Sequence, residues 1–239
     1  MVYSTKPLDI GRNCIFNIVS AILRSSFRSR FPQSLCLGYM MEVFSMTFQD
    51  RLRRATRTPM EKIGRWLWDK GVHPDFLTII GLMVVVIASA FIATGHLQLA
   101  GVILIVGLPL DALDGAVARA MNQPNRRFGG IHDSSLDRYA DGFIFGGLVM
   151  YFSLNGDQPE VLLCLLALVG AFTTSYVRAR AGEAGLEVKV GGIDRLMRVA
   201  LLLVALLAPT TLMVVLFFLA AAGNITTLQR LGYAWTHLE

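Results

Sequence analysis

Between residues 111 and 141 the chain reads DALDGAVARAMNQPNRRFGGIHDSSLDRYAD, with aspartates at Asp111, Asp114, Asp133, Asp137 and Asp141. Runs of Leu, Val and Ile flank this stretch. A carboxylate beside hydrocarbon is costly unless it is paired, hydrated or holding a cation. Asp111 and Asp114 are spaced i, i+3, so on a helix they share one face. Gly115 and Ala118 continue that face without bulk, where something large must approach. Asp133, Asp137 and Asp141 are spaced i, i+4, i+8 and form one stripe on a second helix. Two antiparallel helices joined by a short loop would bring the stripes together.

Four or five converging carboxylates without matching lysines cannot all remain ionised unaided. All-oxygen ligands suit a hard divalent cation, Mg2+ or Mn2+. No His or Cys is placed to make a softer site, and His132 points away from the Asp133 stripe. Such a site suits phosphates, because metal ions polarise phosphoryl oxygens and clamp the attacking and leaving oxygens of a displacement. The last carboxylate could instead take a proton from an attacking hydroxyl. A competing reading is a solvated loop whose aspartates pair with Arg119, Arg126, Arg127 and Arg138. That reading leaves the small-residue face and the helical spacing unexplained. A cation transporter is a further alternative, but it needs acids near the bilayer midplane, away from repelling arginines.

The elements that must carry these residues are apolar. Of 239 residues 54% are hydrophobic and 16% charged, against about 25% charged in soluble domains. The expected class is an all-α integral membrane protein, with membrane lipids and no nucleic acid among its partners. The three cysteines are too few and too scattered for a disulfide framework or a zinc site. Apolar segments run from Leu77 to Thr94, Leu97 to about Ala118, Asp133 to Leu154 and Val161 to about Arg180. Val199–Ala208 and Thr211–Ala222, with flanks from Arg195 and to Arg230, complete six predicted transmembrane helices. The breaks TGH, NGDQP and APT are short, which predicts antiparallel hairpins.

Lys and Arg are missing from the loops after the first, third and fifth helices and cluster on the other side, at Arg119, Arg126, Arg138, Arg178, Arg195, Arg198 and Arg230. The positive-inside rule then puts both termini and all five aspartates at the cytoplasmic face of the cell (inner) membrane. Residues 46–72 are expected to form a juxtamembrane amphipathic helix, with Thr58 as N-cap, Pro59 in the first turn and Trp66 and Trp68 at the interface. Residues 73–239 form the predicted six-helix domain. Residues 1–45 are read as an N-terminal extension, a disordered tail or an over-extended start, since Met40, Met41 and Met46 are possible starts. A surface-lying or transit-like segment is the alternative.

The pattern Asp111-x-x-Asp114-Gly115-x-x-Ala118-Arg119 followed by Gly129-x-x-x-Asp133-x-x-x-Asp137 resembles the motif of the CDP-alcohol phosphotransferases. One residue more than the family pattern separates Arg119 from Gly129. The resemblance implies a six-helix membrane enzyme, commonly a homodimer, that moves a phosphatidyl group from a CDP-linked lipid to an alcohol and releases CMP. By position, Asp111, Asp114, Asp133 and Asp137 would bind two metal ions, with Asp137 also the general base. Asp114, Gly115, Ala118, Arg119 and Gly129 would contact the CDP-lipid, and HPDFLT resembles the family's Pro-x-x-x-Thr segment, placing Pro74 and Thr78 beside the cytidine.

SLDRYADG, SYVRARAGEAGL, GGIDRLMR and LQRL resemble stretches of the bacterial phosphatidylinositol phosphate synthases. In that group three basic residues hold the acceptor phosphate, and their matches are Arg178, Arg198 and Arg230. Three cations beside a metal site suit an anionic polyol such as inositol phosphate; glycerol phosphate is the alternative acceptor. The first basic position is usually Lys, and the group's Glu-Arg-Pro-Glu-Arg is here Asp194-Arg195-Leu196-Met197-Arg198. Arg180 and Arg195 are expected to be structural or lipid-facing, and Asp141 to orient Arg138 or an acceptor hydroxyl.

Overall fold

The computed structural model describes residues 60–121 and 127–238, all within the compact unit 41–239. The expected N-terminal extension 1–45, the part of the expected juxtamembrane helix before residue 60 (Thr58 and Pro59 included) and residues 122–126 lie outside the described residues. So do the side chains of Asp111 and Arg127.

The described residues fold into helices, with no strand among them. A helical segment covers 60–69. It is followed by α1 (Pro74–Ala93), α2 (Leu97–Ala120), α3 (Arg127–Asn155), α4 (Gln158–Glu183), α5 (Arg195–Leu207) and α6 (Leu212–Leu238), with a 3-10 turn at Pro209–Thr211 before α6. Pro74 begins α1, where its missing N–H costs nothing. Asp194 caps α5 by accepting a hydrogen bond from the Met197 amide at 3.0 Å. Gly95 and Gly156, both with positive φ, turn the chain after α1 and α3.

Among the described residues, three helices are long and apolar enough to cross a membrane by length and composition: Pro74–Ala93, Gln158–Glu183 and Pro209–Leu238. In α2 the described apolar stretch is Leu97–Gly107, and the side chains of 108, 109, 111 and 112 lie outside the described residues. The first turns of α3 are polar because they carry the second half of the aspartate motif. At 13 residues α5 rises only about 20 Å, against the roughly 30 Å of a hydrocarbon core.

Each predicted hairpin pairs as expected, α1 with α2, α3 with α4 and α5 with α6. Helix α1 packs closely against both α2 and α3. A Cβ on Gly147 of α3 would lie 2.7 Å from the Ser89 carbonyl oxygen of α1, and one on Gly107 of α2 would lie 2.9 Å from Val84. Ser89 also donates to the Phe143 carbonyl at 2.6 Å. Helices α4 and α6 cross at Gly170 and Gly223, where Thr174 donates to the Gly223 carbonyl at 2.9 Å. In lipid, burial against another helix gains little over burial in hydrocarbon, so small residues and interhelical hydrogen bonds carry the packing. The fully buried alanines Ala88, Ala100, Ala167 and Ala205 fit that account.

Candidate functional site

The first turns of α1, α3 and α5 and the last turns of α2, α4 and α6 meet at one end of the bundle. Cross-helix contacts establish this: Thr78 with Asp114, His132 with Asp75, Arg195 with Asp137, and Arg230 with the Thr174 carbonyl. Every residue singled out for chemistry stands at that end.

Thr78 binds the α2 motif from α1. Its hydroxyl donates to Asp114 Oδ2 at 2.8 Å and lies 3.1 Å from the Pro74 carbonyl one turn earlier. Asp114 is buried, so this bond compensates part of its desolvation. Gly115 and Ala118 are partly buried, and the Arg119 side chain folds back over Gly115. The helical segment 60–69 reaches the same stretch. Gly64 is buried, and a Cβ there would lie 2.7 Å from the Ala116 backbone carbon. Gly129 lies in the first turn of α3, and His132 stacks on Phe128 while its Nδ1 faces Asp75 at 3.8 Å.

Asp133 and Asp137 are half-buried on successive turns of α3. Asp137 faces α5, where Arg195 Nη1 stands 2.8 Å from its Oδ1. One turn further along, the Arg198 Nη2 donates to Asp141 Oδ2 at 2.5 Å, both side chains 4% exposed. These are two parallel carboxylate–guanidinium rungs, i, i+4 on α3 and i, i+3 on α5. Helices α3 and α5 are not close-packed neighbours, so the rungs span a cleft.

A cavity opens on each side of the rungs. One, of about 250 Å³, is lined by Thr78, Leu82, Val85, Leu104 and Gly107 with Asp137, Asp141 and Arg195. The other, of about 390 Å³, is lined by Arg178, Arg198, Arg230, Thr174 and Ser175 with the same Asp137, Asp141 and Arg195. Arg178, Arg198 and Arg230, drawn from three helices, therefore line one space. Arg178 is exposed, whereas Arg198 and Arg230 are buried. Arg230 is held by two carbonyls, its Nε donating to Val190 at 3.0 Å and its Nη1 to Thr174 at 2.8 Å. The loop carrying Val190 needs glycine at Gly191, which has φ +116° and faces Thr226 and Arg230.

Two expectations change. Arg195, expected to be structural or lipid-facing, stands on Asp137 because the Asp194 cap starts α5 at the level of the α3 aspartates. Asp141 pairs with Arg198 and not Arg138, whose guanidinium donates to the Ser134 carbonyl of its own helix. The Asp-x-x-Met cap signal at Asp194 could have found the first; the second needs the α3–α5 juxtaposition, which no local spacing contains.

The donor chemistry of Asp114, Asp133 and Asp137 is all oxygen and fits a hard divalent cation. Among the described residues no three His, Cys, Asp or Glu side chains stand close enough to hold one ion.

Comparison with known proteins matches this geometry to a family. The family model for CDP-alcohol phosphatidyltransferase matches residues 71–230. The chain is 38% identical over 170 residues to the archaetidylinositol phosphate synthase of Methanothermobacter thermautotrophicus, covering 69% of this chain and 84% of that protein. It is 34% identical over 184 residues to the phosphatidylinositol phosphate synthase of Mycobacterium tuberculosis, covering 73% of this chain and 84% of that one. The crystal structure of the M. tuberculosis enzyme with CDP-DAG bound superposes with a TM-score of 0.70 at 33% identity, covering 74% of this chain and 94% of that chain. The same enzyme in complex with manganese and citrate gives 0.69. With its model match, its relatives and its superposition in agreement, the chain is a member of the CDP-alcohol phosphatidyltransferase family and an enzyme of that class.

Proposed function

We propose that this enzyme transfers a phosphatidyl-type group from a CDP-linked lipid of the CDP-diacylglycerol type to inositol phosphate, releasing CMP. The observation that carries the reading is the position of Asp137, which lines both the cavity beside Thr78 and the cavity of Arg178, Arg198 and Arg230. A group that takes a proton from an acceptor while the donor sits beside it must face both spaces. The names of relatives support the substrates: two are archaetidylinositol phosphate synthases and others phosphatidylinositol phosphate synthases. A mycobacterial relative binds CDP-DAG.

In this reading Pro74, Thr78, Asp114, Gly115, Ala118, Arg119 and Gly129 bound the nucleotide, with the small residues leaving room for the diphosphate. Asp111, Asp114, Asp133 and Asp137 would hold two divalent ions, Mg2+ or Mn2+. When bound, the ions supply charge neutralisation at the diphosphate and polarise its phosphorus toward attack. Thr78 orients Asp114. Asp137 accepts the proton of the acceptor hydroxyl as its oxygen forms a bond to the phosphorus that carries the lipid. The bond from that phosphorus to the bridging oxygen breaks, and CMP leaves with the electron pair. Arg178, Arg198 and Arg230 hold the acceptor's phosphate, with Arg a better match than Lys to a planar pair of phosphate oxygens.

The reading also takes the site as cytoplasmic, the chain as a homodimer of the cell membrane, residues 46–72 as an interfacial helix leading into the six-helix domain 73–239, and 1–45 as an extension outside the catalytic domain. Radiolabelled inositol phosphate and glycerol phosphate, offered in turn with CDP-diacylglycerol, test the acceptor. Label in the lipid phase from inositol phosphate is expected; label from glycerol phosphate alone would overturn the assignment.

A further inference from the structure

Asp141 lies outside the aspartate motif, yet it is more deeply buried than any other described carboxylate at this end of the bundle. Its partner Arg198 is equally buried. A buried ion pair contributes little net stability, because desolvation offsets the attraction, and apolar residues of similar size often pack as well. The pair is also not a seam of helix packing: α3 and α5 face each other across the cleft, and Asp141 lines the cavities on both sides. Arg198 is not saturated by Asp141. One Nη2 contact is made, while the buried Nε has no hydrogen-bond partner. An unsatisfied buried guanidinium N–H is expensive, and here it belongs to a residue on the wall of the cationic cavity.

We propose that Asp141 is a positioning residue that aims Arg198 at the acceptor's phosphate. This rests on the assignment of the cationic cavity to that phosphate. Holding one edge of the guanidinium fixes the plane of the fork. A planar fork on a long side chain loses much rotamer freedom on binding, and Asp141 removes that loss before the acceptor arrives.

The test is a kinetic cycle on the full chain in detergent or vesicles, using Asp141→Asn, Arg198→Lys and the double variant. Asp141→Asn is expected to raise the KM for inositol phosphate about tenfold, a coupling in the range of contacting pairs. The KM for CDP-diacylglycerol and kcat should move less than about threefold. In the Arg198→Lys background the further effect of Asp141→Asn should fall to less than about twofold, because the residue acts through that arginine. Additive losses, or equal rises in both KM values, would overturn the role. Should Asp141→Asn fail to give a monodisperse protein, Asp141→Glu keeps the charge but moves it by one methylene. It should still raise the acceptor KM, and an unchanged KM would contradict the proposal. Arg198→Lys with an unaltered acceptor KM would instead sink the assignment of the cavity. Arg198→Lys impaired and Asp141→Asn unimpaired would leave that assignment standing and remove only the positioning role.

Discussion

Arg195 Nη1 lies 2.8 Å from Asp137 Oδ1, a guanidinium resting on the residue that the proposed mechanism uses both as metal ligand and as base. Arg195 side chain is 33% exposed and Asp137 15%, so the pair is screened on one side only. A cation in that place competes with any divalent ion for the same carboxylate.

Removing the competitor should tighten metal binding. Arg195→Gln is expected to bind Mn2+ about three- to tenfold more strongly than the parent, as one partly screened charge is withdrawn from the ligand. Titration of Mn2+ by its electron paramagnetic resonance signal, without lipid substrate, reads this directly. Weaker binding in the variant would show that Arg195 supports the ion instead of competing with it.

Thr78 links α1 to the α2 aspartate Asp114 by a hydrogen bond. Thr78→Val keeps the shape and removes the donor. A hydrogen bond of this kind contributes about 0.5–1.5 kcal/mol net, so the KM for CDP-diacylglycerol should rise about two- to twelvefold. Thr78→Ser should restore most of it, and a Thr78→Val enzyme with parental KM would remove Thr78 from the substrate site.

The close packing of α1 on α3 is tested by size alone. Gly147 faces Ser89 with no space for a Cβ, while Gly146 faces open space. Gly147→Val should lower stability by about 1–3 kcal/mol through overpacking and lower the melting temperature in detergent by several degrees. Gly146→Val should melt within about one degree of the parent, since it meets nothing. Equal effects of the two would contradict the close α1–α3 contact.

The i, i+3 and i, i+4 spacing of the aspartates was enough to identify two helical stripes, and apolar run lengths located all six helices to within a few residues at most ends. The short breaks also identified the hairpins. What remained illegible was the order of neighbours. Nothing in the spacing of Asp111, Asp114, Asp133 and Asp137 says that α1 packs tightly on both α2 and α3, because that depends on Gly107 and Gly147 meeting Val84 and Ser89. The partners of Arg195 and Arg198 were hidden for a related reason. Positive charge near a membrane face reads as headgroup anchoring, and only the juxtaposition of α3 and α5 turns two such arginines into rungs of a site. Arg230 was legible as a cationic position, but not as a side chain already held by the Val190 and Thr174 carbonyls.

In the proposed mechanism Asp137 activates an acceptor hydroxyl against a CDP-linked lipid at a divalent-ion site. Its most direct test is CMP release from CDP-diacylglycerol, measured with and without Mn2+ and inositol phosphate, for the parent and Asp137→Asn. The parent should release CMP only when both are present, in equal amount to the lipid-phase inositol phosphate product. Asp137→Asn should lose at least about a hundredfold of that rate. Full activity of Asp137→Asn, or CMP release that persists undiminished in a chelator, would contradict the account.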